Sequence, residues 1–408
     1  MSRPRLAILS VHSSPLAQPG LGDGGGMNVY VRALAGALAC AGVECDVLTR
    51  AEHPEAPQVI DVEPGFRVVH IEAGPKAGLA RGELHDIIEP FTAATLDHIS
   101  RTGTDYDAVH ANYWVSGGVG HAVKHALDLP LVVTFHTLDR VKADVGINDD
   151  ATARASVERD VVRCADTIVA PTFAERHQLV ELYDADASRI DVVPPGVDHR
   201  VFSPGDRGEA RRALALADVA TLLFVGRIQP LKEAGLAVRA LSLLDDPTAQ
   251  LVLVGGPSGV DGAAELARLH DLVEELGLAS RVRFVAPQPH DGLVTYYRAA
   301  DVCLVPSRTE SFGMVALEAA ASGTPVVAAN VGGLRTLVDP GRTGYLIDER
   351  DAEAFAAPVQ RILDDDELGV RLGRQAVEFS EGYAWNVTAA RLRRLYGDLM
   401  ARSLVNCA

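Results

Sequence analysis

Short, β-branched apolar runs alternate along this chain with longer stretches whose apolar residues recur at helical spacing. Leu6–Val11, Glu44–Leu48, Val68–Ile71, Ala108–His110, Leu131–Phe135 and Thr167–Ala170 have the length and composition of strands. Between them, Val29–Ala41, Val119–Leu127, Ala151–Cys164 and Ala174–Leu182 have helical periodicity, and Thr172 stands where it would cap the last of these. Strand and helix in regular alternation predict a parallel sheet wrapped by helices.

The run V-V-P-P-G-V-D-H-R-V-F-S-P at Val192–Pro204 concentrates residues that break both helix and strand, and a domain boundary is expected there. The alternation then restarts, with strands expected at Leu222–Val225, Leu251–Val254, Val282–Val285, Val302–Val305, Pro325–Ala328 and Tyr345–Ile347. Helices are expected at Ala234–Leu244, Ala263–Leu276, Gly292–Ala299 and Met314–Ala321. Two Rossmann-like, doubly wound α/β domains follow: 1–197 and 198–383, with an amphipathic helix in 384–408 that packs back across the boundary. The acidic run Asp364–Asp366 reads as a solvated turn between helices.

Composition narrows the picture. At 408 residues, 48% of them hydrophobic, the chain has ample apolar surface for two cores. No apolar run approaches the roughly 20 residues of a membrane-spanning helix, and Met1–Val11 does not read as a secretory signal, so a cytoplasmic location is expected. A formal charge of -17 opposes a nucleic-acid partner and requires that any anionic ligand be met by a few placed cations. The five cysteines, Cys40, Cys45, Cys164, Cys303 and Cys407, show no C-x-x-C spacing and are expected to be reduced, with neither a disulfide framework nor a metal site.

Four constellations carry candidate chemistry. The glycine-rich loop Gly20–Asn28 lies between the first strand and the first helix, at the sheet edge where ligands bind; a flexible turn is its equal alternative. V-G-R-I-Q-P-L-K at Val225–Lys232 ends a strand with Arg227 and Lys232, suited to a diphosphate unless both are solvated surface cations. E-S-F-G-M-V-A-L-E at Glu310–Glu318 sets one carboxylate before a helix and another two turns inside it. That suits sugar or ribose hydroxyls, or merely complements the helix dipole. His12, His110 and His136 each follow a predicted strand and converge at one edge if the sheet is parallel.

Taken together, G-D-G-G-G-M-N-V-Y, V-G-R-I-Q-P-L-K and E-S-F-G-M-V-A-L-E resemble the retaining, group 1 type glycosyltransferases of the GT-B fold, over nearly the whole chain. Within that superfamily, Ser10–Gly20, Ala111–Gly117 and Gly255–Gly259 are similar to the actinobacterial mycothiol-pathway family that transfers N-acetylglucosamine from UDP onto myo-inositol phosphate. The resemblance implies a donor site of Gln18, Pro19, Gly26, Arg227, Lys232, Gln288, Glu310, Ser311, Phe312, Gly313 and Glu318. It puts Arg227 and Lys232 on the diphosphate, Glu318 on the ribose and Glu310 on the transferred sugar, with Arg227, Lys232, Glu310 and His136 catalytic. It also implies an acceptor site of His12, Asp23, Met27, Asn28, Arg81, Tyr113, Thr137, Lys142 and Arg154.

The implied enzyme needs no cofactor or metal beyond its nucleotide-sugar substrate, UDP-sugar first, with a homodimer as one assembly open to it. Its implied mechanism is a same-face displacement in which cations stabilise the leaving diphosphate. F-H-T-L-D-R-V-K at Phe135–Lys142 also reads in part like sucrose-phosphate synthases. A natural-product enzyme using another nucleotide sugar, such as a GDP-sugar, and an aminocyclitol or thiol acceptor is a further alternative.

Overall fold

The apolar runs pair into two sheets. In sequence order the strands of the first are β1 (Arg5–Leu9), β2 (Glu44–Arg50), β3 (Val59–Glu63), β4 (Phe66–Ile71), β5 (Ala108–Asn112), β6 (Leu131–Thr134), β7 (Thr167–Ala170) and β8 (Ile190–Val192). Those of the second are β9 (Thr221–Val225), β10 (Gln250–Val254), β11 (Val282–Val285), β12 (Val302–Val305), β13 (Val326–Ala329) and β14 (Gly344–Ile347). The computed structural model describes residues 3–407 apart from 21, 23, 80, 145 and 147–151.

The first sheet runs β3-β4-β2-β1-β5-β6-β7-β8 and the second β11-β10-β9-β12-β13-β14. All pairings are parallel except β3 with β4. Each sheet therefore grows outward from its first strand in one direction, then returns and grows in the other. The reversal leaves a crevice at the carboxyl ends, between β1 and β5 in one sheet and between β9 and β12 in the other. This is the doubly wound, Rossmann-like architecture that the alternation predicts.

Both faces of each sheet are covered, which explains why the strands read as unbroken apolar runs. Leu6 and Ile8 of β1 pack with Leu34, Leu38, Leu392 and Tyr396. Ala7 and Leu9 pack on the other side with Phe91, Val115, Val119 and Val133. In the second sheet, Leu222 and Leu251 share one core with Val238 and Phe355, while Leu223 and Val252 share another with Tyr297 and Leu317.

By compactness the chain forms one unit of Met1–Ala17, Met27–Pro194 and Trp385–Ala408, and a second of Gln18–Gly26 and Pro195–Ala384. The division thus falls at 194/195, and the loop Gln18–Gly26 groups with the second unit. The helix Trp385–Met400 belongs to the first, where Thr388 Oγ1 donates to the Pro194 carbonyl at 2.8 Å.

Two strands lie outside the predicted set. β3 is mostly exposed, and β8 is three residues long before the proline run. Asp364 and Asp365 form the junction of two helices, with Asp365 capping the second by accepting from Leu368 N at 2.9 Å. Thr172 caps its helix as expected, accepting from Glu175 N at 3.1 Å.

The cysteines correct the sequence reading. Cys164 and Cys407 are joined sulfur to sulfur across 243 residues, while Cys40, Cys45 and Cys303 are free thiols. Nothing local to either residue signals the pairing, because the C-terminal tail brings Cys407 back to the end of the helix Thr152–Cys164. Among the described residues no helix is long and apolar enough to cross a membrane.

Candidate active site

The crevice of the second sheet gathers most of the predicted donor residues. Arg227 follows β9 directly, and its Nη1 lies 3.4 Å from Ser258 Oγ. Ser258, buried after β10, donates in turn to the Gly22 carbonyl at 2.9 Å. A Cβ on Gly25 would lie 3.5 Å from Arg227 Nε, so the glycine-rich loop passes close beside this guanidinium. Gln18 Nε2 donates to the Pro287 carbonyl at 3.1 Å, next to Gln288 beyond β11. Pro19 lies between Gln18 and Gly20, and a Cβ on Gly20 would come within 3.0 Å of Pro287. Gly26 stands against the start of the helix Met314–Ala321, where its Cβ would be 3.9 Å from Met314 Cγ.

Lys232 closes the short turn Pro230–Lys232 and forms an ion pair with Glu310, whose Oε1 also accepts from Ser307 Oγ at 3.0 Å. Both partners keep some contact with solvent, at 21% and 16% exposed, so the pair is accessible to a ligand. The loop that carries Glu310 is seated by glycines. The Gly333 amide donates to the Glu310 carbonyl at 2.8 Å, and Gly332 has φ 44°. A Cβ at Gly332 would sit 1.9 Å from the Glu310 carbonyl oxygen, and one at Gly333 2.4 Å from Phe312 Cα. The V-G-G-L segment therefore lets one backbone lie directly on another.

Gly313, with φ 104°, then turns the chain into the helix Met314–Ala321. Its N-cap Gly313 has no side chain to cap it, and its first turn carries no acid, so its N-terminal amides are suited to an anionic ligand. Ser311 sits half-buried at the turn, whereas the Phe312 side chain packs into the core with Leu334 and Leu337.

Glu318 is 3% exposed. Its Oε1 lies 2.7 Å from His290 Nε2, and its Oε2 accepts from the Tyr297 hydroxyl at 2.8 Å. Burial and the neighbouring carboxylate hold the Tyr297 hydroxyl far above its ordinary pKa, so it stays a donor. Glu318 and Glu310 thus differ sharply: one is anchored in the interior, the other faces a cation.

The first sheet places a different set at its crevice. His12, after β1, stacks on Tyr113, after β5, with ring centroids 4.6 Å apart. Tyr113 has φ 78° and ψ 161°, a conformation that only glycine adopts without cost. It is held there by its amide donating to Thr134 and its carbonyl accepting from Gly117, both at 2.8 Å, and by Arg154 over its ring at 5.0 Å.

Arg154 is buried and fully engaged. Its Nη1 donates to the Tyr113 hydroxyl at 3.1 Å, its Nη2 to the Thr137 carbonyl at 2.8 Å, and its Nε to Glu158 at 2.7 Å. Burial opposes the charge, but Tyr113 and Glu158 outweigh it and move the Arg154 pKa upward. Glu158, which is fully buried, also accepts from the Asp139 amide and the Tyr183 hydroxyl.

His136, after β6, has φ 61°, bonds Asn112 Oδ1 through Nε2 at 2.9 Å and meets Tyr30 edge to face. Burial, then His110 and His12, push its pKa down to about 3, so it is a neutral imidazole in ordinary buffers. His110 departs from its predicted position. It lies inside β5, fully buried, between Tyr396 (2.8 Å) and Thr134 (2.9 Å), as a satisfied core histidine. Asn28 is also buried and braces the loop after β1 through Ser13 Oγ and the Ser14 carbonyl, both at 2.7 Å.

The remaining predicted residues are not drawn into these clusters. Met27 packs partly against the core, and Lys142 is buried in the helix Asp139–Asp144. Arg81 begins the turn Arg81–Glu83, but its side chain, like Asp23, lies outside the described residues. A cavity of about 430 Å³ lined by His85, Asp86, Glu89, His121 and Asp160 contains none of them. Ser258, His290, Tyr297 and Glu158 hold these clusters together, and sequence reading missed them. Only Ser258, within G-G-P-S-G, lay in a motif already marked.

Known proteins share this arrangement. The family model Glycosyl transferases group 1 matches residues 206–379, and Glycosyl transferase 4-like domain matches 25–196. The D-inositol 3-phosphate glycosyltransferase of Corynebacterium efficiens is 44% identical over 97% of this chain and 95% of its own. That of Nocardia farcinica is 46% identical over 96% and 89%. Among solved structures, sucrose-phosphate synthase from Thermosynechococcus elongatus has a TM-score of 0.91 at 36% identity, covering 98% of this chain and all of its own. Anabaena HepE, in complex with UDP and glucose, shares the fold at a TM-score of 0.77 and 19% identity, over 97% of this chain and 100% of its own. With two Rossmann-like units, crevices at both switch points and relatives matched along almost its whole length, the chain belongs to the glycosyltransferase group 1 family and is a GT-B glycosyltransferase.

Proposed function

We propose that this enzyme transfers N-acetylglucosamine, with retention at the anomeric carbon, from UDP-N-acetylglucosamine to D-inositol 3-phosphate. The observation that carries the donor half is the Lys232–Glu310 pair beside Arg227 at the switch point of the second sheet, next to a helix whose N-cap is a glycine. Two cations and the N-terminal amides of that helix match a diphosphate, and a carboxylate beside them matches the hydroxyls of a sugar. HepE, which shares only the fold, is a UDP and glucose binder, and this favours a UDP-sugar. The names of the Corynebacterium and Nocardia relatives favour the acceptor.

In the proposed reaction the bond between the anomeric carbon and the diphosphate oxygen breaks while the acceptor hydroxyl oxygen bonds to that carbon on the same face. The acceptor proton passes to the departing diphosphate. Arg227 and Lys232 stabilise the charge that grows there, where excluded water makes each contact stronger. Neutral His136 and the His12–Tyr113 pair would orient the acceptor.

A second reading comes from the sucrose-phosphate synthase likeness, which would make the acceptor a hexose phosphate. A matrix of UDP-, GDP- and ADP-sugars against inositol 3-phosphate and fructose 6-phosphate, read by mass spectrometry, separates the two. The proposal expects product from UDP-N-acetylglucosamine with inositol phosphate. Product with fructose 6-phosphate alone overturns it.

A further inference from the structure

A second chemical cluster is built where the C-terminal tail meets the helix Trp114–Leu127. His121 and His125 lie one turn apart on that helix, their rings 5.0 Å between centroids. His125 Nε2 is 3.2 Å from Cys164 Sγ and 3.2 Å from Cys407 Sγ, and Cys407 Sγ is 3.9 Å from His121 Nε2. All four ligand atoms fall within 4.8 Å of one another.

We propose that His121, His125, Cys164 and Cys407 bind one divalent ion of the zinc class, fastening the C-terminal tail to the first unit. Two imidazoles and two thiolates are a set that zinc takes in closed, four-coordinate structural sites. Zinc bonds of about 2.3 Å to sulfur and about 2.0–2.1 Å to nitrogen, at tetrahedral angles, imply nitrogen–sulfur separations near 3.5 Å. The three observed separations bracket that value.

The structure joins Cys164 and Cys407 sulfur to sulfur; the two imidazoles beside them favour the ion over that disulfide. A sulfur–sulfur bond involves the cysteines alone and has no use for two imidazole nitrogens directed at its sulfurs, whereas a metal requires both. The two states exclude each other, because the ion binds thiolates: two thiols each release a proton and two neutral imidazoles supply lone pairs.

The scaffold is placed in advance. The Val405 amide donates to Asp166 Oδ1 at 2.6 Å, setting the tail two residues before Cys407. Lys124 donates to the Cys164 carbonyl and to Asp166, both at 2.8 Å, fixing the end of the helix that carries Cys164.

The test uses the full-length chain, with any tag removed, purified without reductant or chelator. Elemental analysis is expected to find about one zinc per chain. His125→Asn and Cys407→Ser, in the exposed ring and the tail, should each lower zinc content about tenfold or more while circular dichroism stays native. In non-reducing denaturant with a chelator, a thiol titration should count all five cysteines. Cobalt loading should give a thiolate-to-metal charge-transfer band that both variants lose. A chain without stoichiometric metal, or one with two cysteines missing from that titration and a mass lower by two hydrogens, overturns the proposal in favour of the disulfide. Zinc retained by both variants overturns it as well.

Discussion

The two units share one sheet plan and use it differently. In the second, the switch point carries the partly exposed ion pair of Lys232 with Glu310, on a loop seated by Gly332 and Gly333. In the first, the comparable position is an interior network in which Arg154 holds Tyr113, Thr137 and Glu158. One crevice presents charge; the other absorbs it and presents rings and a strained backbone. The same fold can therefore offer an anion site or a shaped, neutral-histidine site, depending on whether its cations stay partly exposed or meet a fully buried carboxylate.

Removing the arginine of the first unit should break this contrast most severely. Arg154→Ala leaves the Glu158 carboxylate buried without its cation and should cost about 3–5 kcal/mol of stability, read by urea unfolding. A loss below about 1 kcal/mol would mean that Arg154 is available to a ligand, as the resemblance implies.

Lys232→Ala is the counterpart in the second unit. Its partly exposed pair should contribute about 1 kcal/mol or less to stability, so the unfolding midpoint should barely move. Turnover should nevertheless fall by about 10²–10³-fold, checked by kcat at saturating donor. A variant that loses stability and keeps turnover would reverse the assignment of roles.

The neutral histidines of the first unit make a pH prediction. His110 and His136 titrate near 3 when folded and near about 6.5 when unfolded, so the unfolded chain takes up protons first as pH falls. Stability should be unaffected above about 6.5 and decline between about 6.5 and 3, by about 1.4 kcal/mol per pH unit for each histidine. His110→Gln should remove one proton's share of that slope. Tyr113→Phe should have the smallest effect, near 1 kcal/mol, because it loses the bond from Arg154 but keeps the ring contacts.

Most of the architecture was legible because β12, β13 and their neighbours are apolar on both faces and bounded by glycine or proline. The edge strand β3, with V-I-D-V-E largely exposed, lacks the burial that makes a strand readable. The helix Ala352–Leu363 contains Pro358, which reads as a breaker until its packing around Phe355 and Val359 is seen. At the site, residue types pointed to Lys232 and Glu310, but not to their pairing across 78 positions. Nor could they show that Glu158 neutralises Arg154, that His110 is satisfied by Tyr396, or that Tyr113 adopts a glycine-like backbone. Those facts arise from contacts between distant segments, and so does the meeting of Cys164 with Cys407.

The central claim is that the switch point of the second unit holds the donor diphosphate through Arg227 and Lys232. Calorimetric titration of UDP into the wild type, Lys232→Ala and Arg227→Ala tests it directly. Each variant should bind UDP at least about tenfold more weakly than the wild type, a loss of about 1.4 kcal/mol or more. Equal UDP affinity in all three proteins would contradict the account.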